Sequence, residues 1–61
     1  MMKLKTWRIE NKVTQAVLAK RLGVILVTVS RWECGTRIPS HRMQVAIHRM
    51  TDGVVAPNDW L

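Results

Sequence analysis

Three polar side chains with hydrogen-bonding capacity lie close together in the chain: Thr28, Ser30 and Arg31. They belong to the stretch 14–33, TQAVLAKRLGVILVTVSRWE, and we expect them on the outward side of a short helix. The planar guanidinium of Arg31 donates hydrogen bonds in a fixed fork, which suits a flat pair of acceptors such as O6 and N7 of guanine. The alternative for Arg31 is a solvated charge on an exposed helix face. These residue types suit hydrogen bonding to a binding partner rather than catalysis.

Catalysis finds no support in the sequence. A glycine-containing turn separates Asp52 from Asp59, and no pattern brings them together as an acid and base pair. Cys34 follows a glutamate, which does not activate a thiol. His41 and His48 have no neighbouring cysteines or carboxylate pair to complete a metal site. We therefore expect no enzyme activity, no metal and no cofactor.

The stretch around the three polar residues is typical of two short helices joined by a tight turn. Thr14 is a good N-cap for the first of them, and Gly23 tolerates the positive φ that a sharp turn needs. Apolar residues recur at helical spacing, and we expect them to form the buried sides of the two helices: Ala16, Leu18, Ala19 and Leu22, then Val24, Val29 and Trp32. Two helices joined in this way are a helix-turn-helix motif.

The rest of the chain favours two further helices. We predict helices over 3–11, 15–22, 26–34 and 41–50 or 41–51, with Ser40 as the N-cap of the last. The loop 35–39 ends at a proline, which disfavours helix before it. The tail 52–61 is less regular, and we expect it to be mostly helical and to bring Trp60 and Leu61 onto the core.

Length and charge limit the function classes. The chain has 61 residues, enough for one small domain, which we assign to 1–61. Ten Lys and Arg stand against four Asp and Glu, a net charge of +6 that favours a polyanionic partner. One cysteine and the lack of a signal peptide or an apolar stretch long enough to span a membrane indicate a reducing cytoplasm and no membrane partner.

The run LAKRLGV, then TVSRWE, then Gly35 and the pair Ile38-Pro39, resembles the Cro/repressor-type (XRE-like) helix-turn-helix family of phage and bacterial DNA-binding regulators. The resemblance covers about 4–50. It implies an all-α, lambda-repressor-like domain of four to five helices, with the third in the major groove of DNA. It also implies a sequence-specific repressor-like regulator of phage or prophage type, binding a palindromic operator on double-stranded DNA as a homodimer in the bacterial cytoplasm, associated with the nucleoid.

The resemblance carries roles onto particular residues. It aligns four residues with positions that face base edges: Leu26, Val27, Ser30 and Arg31. It assigns phosphate contacts to Gln15, Arg37 and Ser40. We expect a further phosphate contact from Thr28, whose hydroxyl could instead bond a base or the backbone of its own helix. It also matches Arg8 and Glu33 to an ion pair that locks the first helix against the third, a structural role. The tail 52–61 is the expected dimer contact.

The chain departs from the family pattern before the third helix. Ile25 stands where a small polar residue would cap that helix, and Leu26 and Val27 extend the apolar run. These side chains suit thymine methyl groups, or they form an exposed apolar patch with Ile9 and Val17 that marks a protein contact. The second interpretation gives an alternative function, a helix-turn-helix module for protein–protein interaction. Nonspecific binding of nucleic acid by charge is a third.

Overall fold

Local capping chemistry determines where two of the helices of this chain begin. The computed structural model describes residues 2–56 and 60, and within them it contains four helices and no strand. The helices are α1 (Met2–Glu10), α2 (Gln15–Leu22), α3 (Leu26–Cys34) and α4 (His41–Met50). The expected all-α fold is confirmed. The predicted bounds of the second and third helices are the observed ones, and α1 lies one residue earlier than predicted.

Two helices begin at hydroxyl caps. The Oγ1 atom of Thr14 accepts a hydrogen bond from the backbone N–H of Val17 over 3.2 Å. Ser40 Oγ accepts from the N–H of Met43 over 3.3 Å. Each bond satisfies a first-turn donor that has no partner within its helix. The predicted caps of α2 and α4 are therefore the observed ones.

The turn between α2 and α3 depends on Gly23. Its φ is +74°, in the left-handed region that side chains with a Cβ rarely adopt. The next residue, Val24, donates its backbone N–H to the carbonyl oxygen of Ala19 over 2.9 Å, which closes the end of α2. This geometry brings α3 back across α2 and sets the angle at which α3 projects from the domain.

The core lies where the helices and the tail meet. Its buried apolar members are Leu4, Val13, Leu18, Ala19, Val29, Trp32, Ile47, Val55 and Trp60. The prediction that Ala16 belongs to the buried side of α2 was wrong, because Ala16 is exposed. Each residue of a helix is turned by about 100° from the one before it, so residues two apart point in nearly opposite directions. With Leu18 facing the core, Ala16 must therefore face away from it.

The tail folds back onto the core through Thr51. Thr51 is 1% exposed, its hydroxyl donates to the carbonyl oxygen of Ile47 over 2.8 Å, and it accepts from the N–H of Val55 over 3.1 Å. Residues 52–55 form turns rather than the helix that we expected for the tail. Trp60 lies in the core, as predicted. The expected core position of Leu61 lies outside the described residues.

Candidate nucleic-acid interface

The third helix presents one side to solvent because its other side is fixed in the core. Val29, Trp32 and Glu33 are its buried residues, at the spacing of one helical face. On the opposite side Arg31 is exposed and Ser30 is half-buried. The helix therefore has an outward face free to meet a partner.

The start of α3 is apolar and exposed. Ile25 is the N-cap residue and has no hydrogen-bonding side chain, so it cannot cap the helix as Thr14 and Ser40 cap theirs. Ile25 is 68% exposed, and Leu26 and Val27 are each 46% exposed. We call these three residues the apolar tip. They lie at the end of α3 that resemblance assigns to the major groove.

A cleft of about 340 Å³ lies between α3, the loop after it and the start of α4. Four residues with predicted DNA contacts line this cleft: Thr28, Arg31, Arg37 and Ser40. The remaining lining residues are mainly apolar, and sequence reasoning gave them no role there: Val24, Trp32, Ile38, Pro39 and Met43. Two arginines beside the N-terminus of α4 favour an anionic occupant. The cleft thus joins a proposed base reader to proposed phosphate contacts.

Gln15 lies apart from the cleft. Its Nε2 atom donates to Oε1 of Glu33 over 3.1 Å, and the side chain is half-buried. Because a carboxylate only accepts hydrogen bonds, the amide nitrogen must be the atom that faces Glu33. A phosphate is also only an acceptor, so a contact would use the second amide hydrogen or the backbone N–H at the start of α2. Sequence reasoning missed the link to Glu33.

Arg8 and Glu33 form a largely buried ion pair between α1 and α3. Arg8 Nε donates to Glu33 Oε2 over 2.8 Å, and Nη2 donates to Oε1 over 3.1 Å. Nη1 donates to the carbonyl oxygen of Val13 over 3.1 Å. Hydrogen bonding to Glu33 raises the pKa of Arg8, burial opposes the rise, and the charge of the carboxylate adds to it. The pair holds the end of α3 in a fixed position relative to α1.

The described part of the chain offers neither a membrane span nor a metal cluster. Every helix in 2–56 is too short or too polar to span a bilayer. Within the same residues, no three His, Cys, Asp or Glu side chains are grouped so that they could hold a metal ion.

A short helix, a glycine turn and an outward-facing third helix together are the arrangement of a DNA-binding helix-turn-helix. A protein-family model described as helix-turn-helix matches residues 4–47. The chain therefore belongs to the Cro/repressor-type (XRE-like) helix-turn-helix family, and the resemblance seen in its sequence is confirmed. This family is one of DNA-binding regulators rather than of enzymes. Neither the curated proteins nor the solved structures with which the chain was compared gave a match.

Proposed function

We propose that the protein is a sequence-specific transcriptional regulator of repressor type that recognises a palindromic operator on double-stranded DNA. One observation carries the proposal: Arg31 on the exposed face of α3 shares a cleft with Arg37 and Ser40. A base-reading side chain and phosphate-binding groups have to lie together if one helix is to be held in a groove at a fixed register. The net charge of +6 adds attraction to the duplex.

In this proposal α3 enters the major groove. Its base contacts come from Leu26, Val27, Ser30 and Arg31, and its phosphate contacts from Gln15, Thr28, Arg37 and Ser40. Arg31 is the strongest reader, because a bidentate contact with guanine discriminates against a wrong base by about 1–3 kcal/mol. The Arg8–Glu33 pair acts indirectly, since it fixes the helix that carries these residues.

The regulator acts as a homodimer, since a domain of this size offers little contact surface by itself and two copies match a palindrome. We assign the dimer contact to the exposed part of the tail 52–61. Val54 is exposed there, whereas Val55 and Trp60 belong to the core of their own subunit and are unavailable to a partner. The proposed setting is the cytoplasm and nucleoid of a bacterial cell, with a phage or prophage origin.

Selection of duplexes from a randomised library tests the proposal. The wild type is compared at two salt concentrations with Arg31→Ala and with Arg49→Ala, a control that removes an equal charge from an exposed position outside the cleft. Reductant is kept throughout, because Cys34 is exposed and oxidation would cross-link two chains. We expect a palindromic consensus, from which Arg31→Ala removes a G·C preference in each half-site while Arg49→Ala leaves it intact.

The exposure of the apolar tip favours the alternative function of a protein-interaction module. The same selection from a duplex library distinguishes the transcriptional regulator from the protein-interaction module. Binding without a consensus, lost at the higher salt concentration and unchanged by Arg31→Ala, contradicts sequence-specific regulation. In that case the domain binds DNA only through its net positive charge. The apolar tip then becomes the surface on which to look for a protein partner.

A further inference from the structure

The apolar tip differs from the rest of the proposed DNA-binding face because its side chains form no hydrogen bonds. We infer that it recognises the C5-methyl group of pyrimidines in the major groove, so that thymine and 5-methylcytosine are equivalent at the base that it contacts. This inference rests on the proposed function and names the chemical group that one part of the interface reads.

The first support is that the core does not need these side chains. Val29 is fully buried and Trp32 nearly so, and together they fill the inner side of α3. About half or more of the surface of Ile25, Leu26 and Val27 remains exposed. Their methyl groups are therefore available to a partner without any rearrangement of the domain.

The second support is the chemistry of the groove. Thymine presents a methyl group at the major-groove edge, whereas cytosine has only a hydrogen at that position and most other groups there are hydrogen-bond donors and acceptors. An aliphatic side chain placed against those polar groups would desolvate them without offering a bond in return. Cytosine methylated at C5 carries the same methyl group at the same position of the ring. Leu26 and Val27 can therefore read the methyl group but not the hydrogen-bonding pattern that separates the two bases.

Charge decides in favour of DNA over an apolar protein surface as the occupant of the tip. Arg31 follows Val27 by four residues on the same side of α3, and Arg37 lies with Arg31 in the cleft. A partner that covers the tip must also meet these charges, on a chain whose net charge is +6. A duplex supplies both apolar methyl groups and closely spaced phosphates.

The spacing along α3 predicts where the methyl group lies in a half-site. Val27 and Arg31 are four residues apart, about 6 Å along the helix axis. Successive bases on one strand are about 3.4 Å apart. The methylated pyrimidine should therefore lie within about two base pairs of the guanine that Arg31 reads.

The experiment changes one methyl group at a time in the duplex selected by the wild-type protein. Thymine near the Arg31-dependent guanine is replaced by uracil, by cytosine or by 5-methylcytosine, with the matching base opposite. From the free energy of burying one methyl-sized group, we expect the duplex with uracil to bind about fourfold more weakly per half-site than the duplex with thymine. 5-Methylcytosine should bind about fourfold more tightly than cytosine.

Two protein variants separate direct contact from an effect of the methyl group on DNA shape. In Leu26→Ser/Val27→Ser the ratio of affinities for thymine and uracil should fall to about one, while the G·C preference that depends on Arg31 stays. Val17→Ser alters an exposed valine on α2 and should keep the wild-type ratio. Because all three positions are exposed, circular dichroism should find each variant folded.

The outcomes distinguish this inference from the function on which it rests. If the wild type selects a consensus but binds thymine and uracil equally at every position of it, methyl recognition is refuted and the regulator stands. Methyl recognition by the tip is also refuted if the double serine variant keeps the wild-type ratio. If the wild type selects no consensus, the proposed function fails and the inference fails with it.

Discussion

The guanidinium of Arg8 and the carboxylate of Glu33 are joined by two parallel hydrogen bonds, of 2.8 Å and 3.1 Å, although 25 residues separate them in the chain. Both side chains are largely removed from water, with 13% of Arg8 and 3% of Glu33 exposed. Gln15 adds a third donor to the same carboxylate. The three residues come from three different helices, so the carboxylate holds α1, α2 and α3 together.

Removing either partner of this pair should strongly destabilise the fold. Arg8→Met takes the guanidinium away from the carboxylate, and Glu33→Leu takes the carboxylate away from the guanidinium; removing one partner of a buried ion pair costs about 3–5 kcal/mol. A domain of this length has a free energy of unfolding on the order of 3–9 kcal/mol, so each single variant should lose between about a third of its stability and all of it. Urea unfolding followed by circular dichroism measures the loss.

The double variant Arg8→Met/Glu33→Leu should be more stable than either single variant, because it removes both charges together. Lys5→Met, at an exposed position of the same helix, serves as the control and should change stability by less than about 0.5 kcal/mol. If the losses of the two single variants simply add in the double variant, the two residues do not act as a pair.

The pH dependence of this contribution follows from the pKa of Arg8. The hydrogen bond to Glu33 raises that pKa, so the folded state holds the proton more tightly than the unfolded state. The resulting stability is fully present below the ordinary pKa of arginine and is lost only as the pH rises through the raised value. Between about pH 7 and pH 9 the destabilisation by Arg8→Met should therefore be constant. A destabilisation that shrinks across this range would contradict the assignment.

One substitution at the start of α3 should increase the stability of the domain. Ile25 occupies the N-cap with an extended backbone, φ −87° and ψ 158°, but offers no acceptor to the first turn. Ile25→Ser adds the acceptor and loses little burial, so we expect about 1 kcal/mol of added stability and a rise in Tm of about 4–8 °C. Thermal unfolding measures it.

Existing caps provide the matched comparison. Thr14→Ala and Ser40→Ala remove hydroxyls that do accept hydrogen bonds, so each should lower stability by about 1 kcal/mol. If Ile25→Ser is neutral while these two variants are destabilised, the first turn of α3 does not lack a cap in solution.

These helix ends were predictable because their causes are local. Thr14, Gly23 and Ser40 act on residues at most a few positions away, so the sequence alone gives the bounds of α2 and the start of α4. Ala16 was misassigned because α2 has five small or apolar residues in eight positions, which fit more than one helical stripe. Only packing decides between the stripes. Gln15 and Glu33 lie 18 residues apart in the sequence and come into contact because α2 packs against α3. No local sequence pattern encodes this contact. The cleft likewise depends on how the loop after α3 returns over Trp32.

Thr51 should be intolerant of a substitution that keeps its shape but removes its hydroxyl. Thr51→Val leaves the buried N–H of Val55 without its acceptor, which should lower the free energy of unfolding by about 1–3 kcal/mol. Thr51→Ser keeps the hydroxyl and should lose only about the contribution of one methyl group, about 1 kcal/mol. Urea unfolding compares the two. If valine proves as stable as wild type, the hydroxyl does not hold the tail on the core.

Arg37 and Arg31 should have different signatures in DNA binding, although they line the same cleft. In the proposed interface Arg37 contacts a phosphate, so Arg37→Ala should weaken binding to all sequences alike and reduce the slope of log K against log salt by about 0.9 per subunit. Arg31→Ala should instead lower affinity for duplexes with the preferred guanine and leave mismatched duplexes almost unaffected. Fluorescence anisotropy titrations over a range of salt, on matched and mismatched duplexes, measure both quantities. A change of sequence preference in Arg37→Ala with an unchanged slope would assign Arg37 to a base, because counterion release depends on phosphates neutralised and base readout does not.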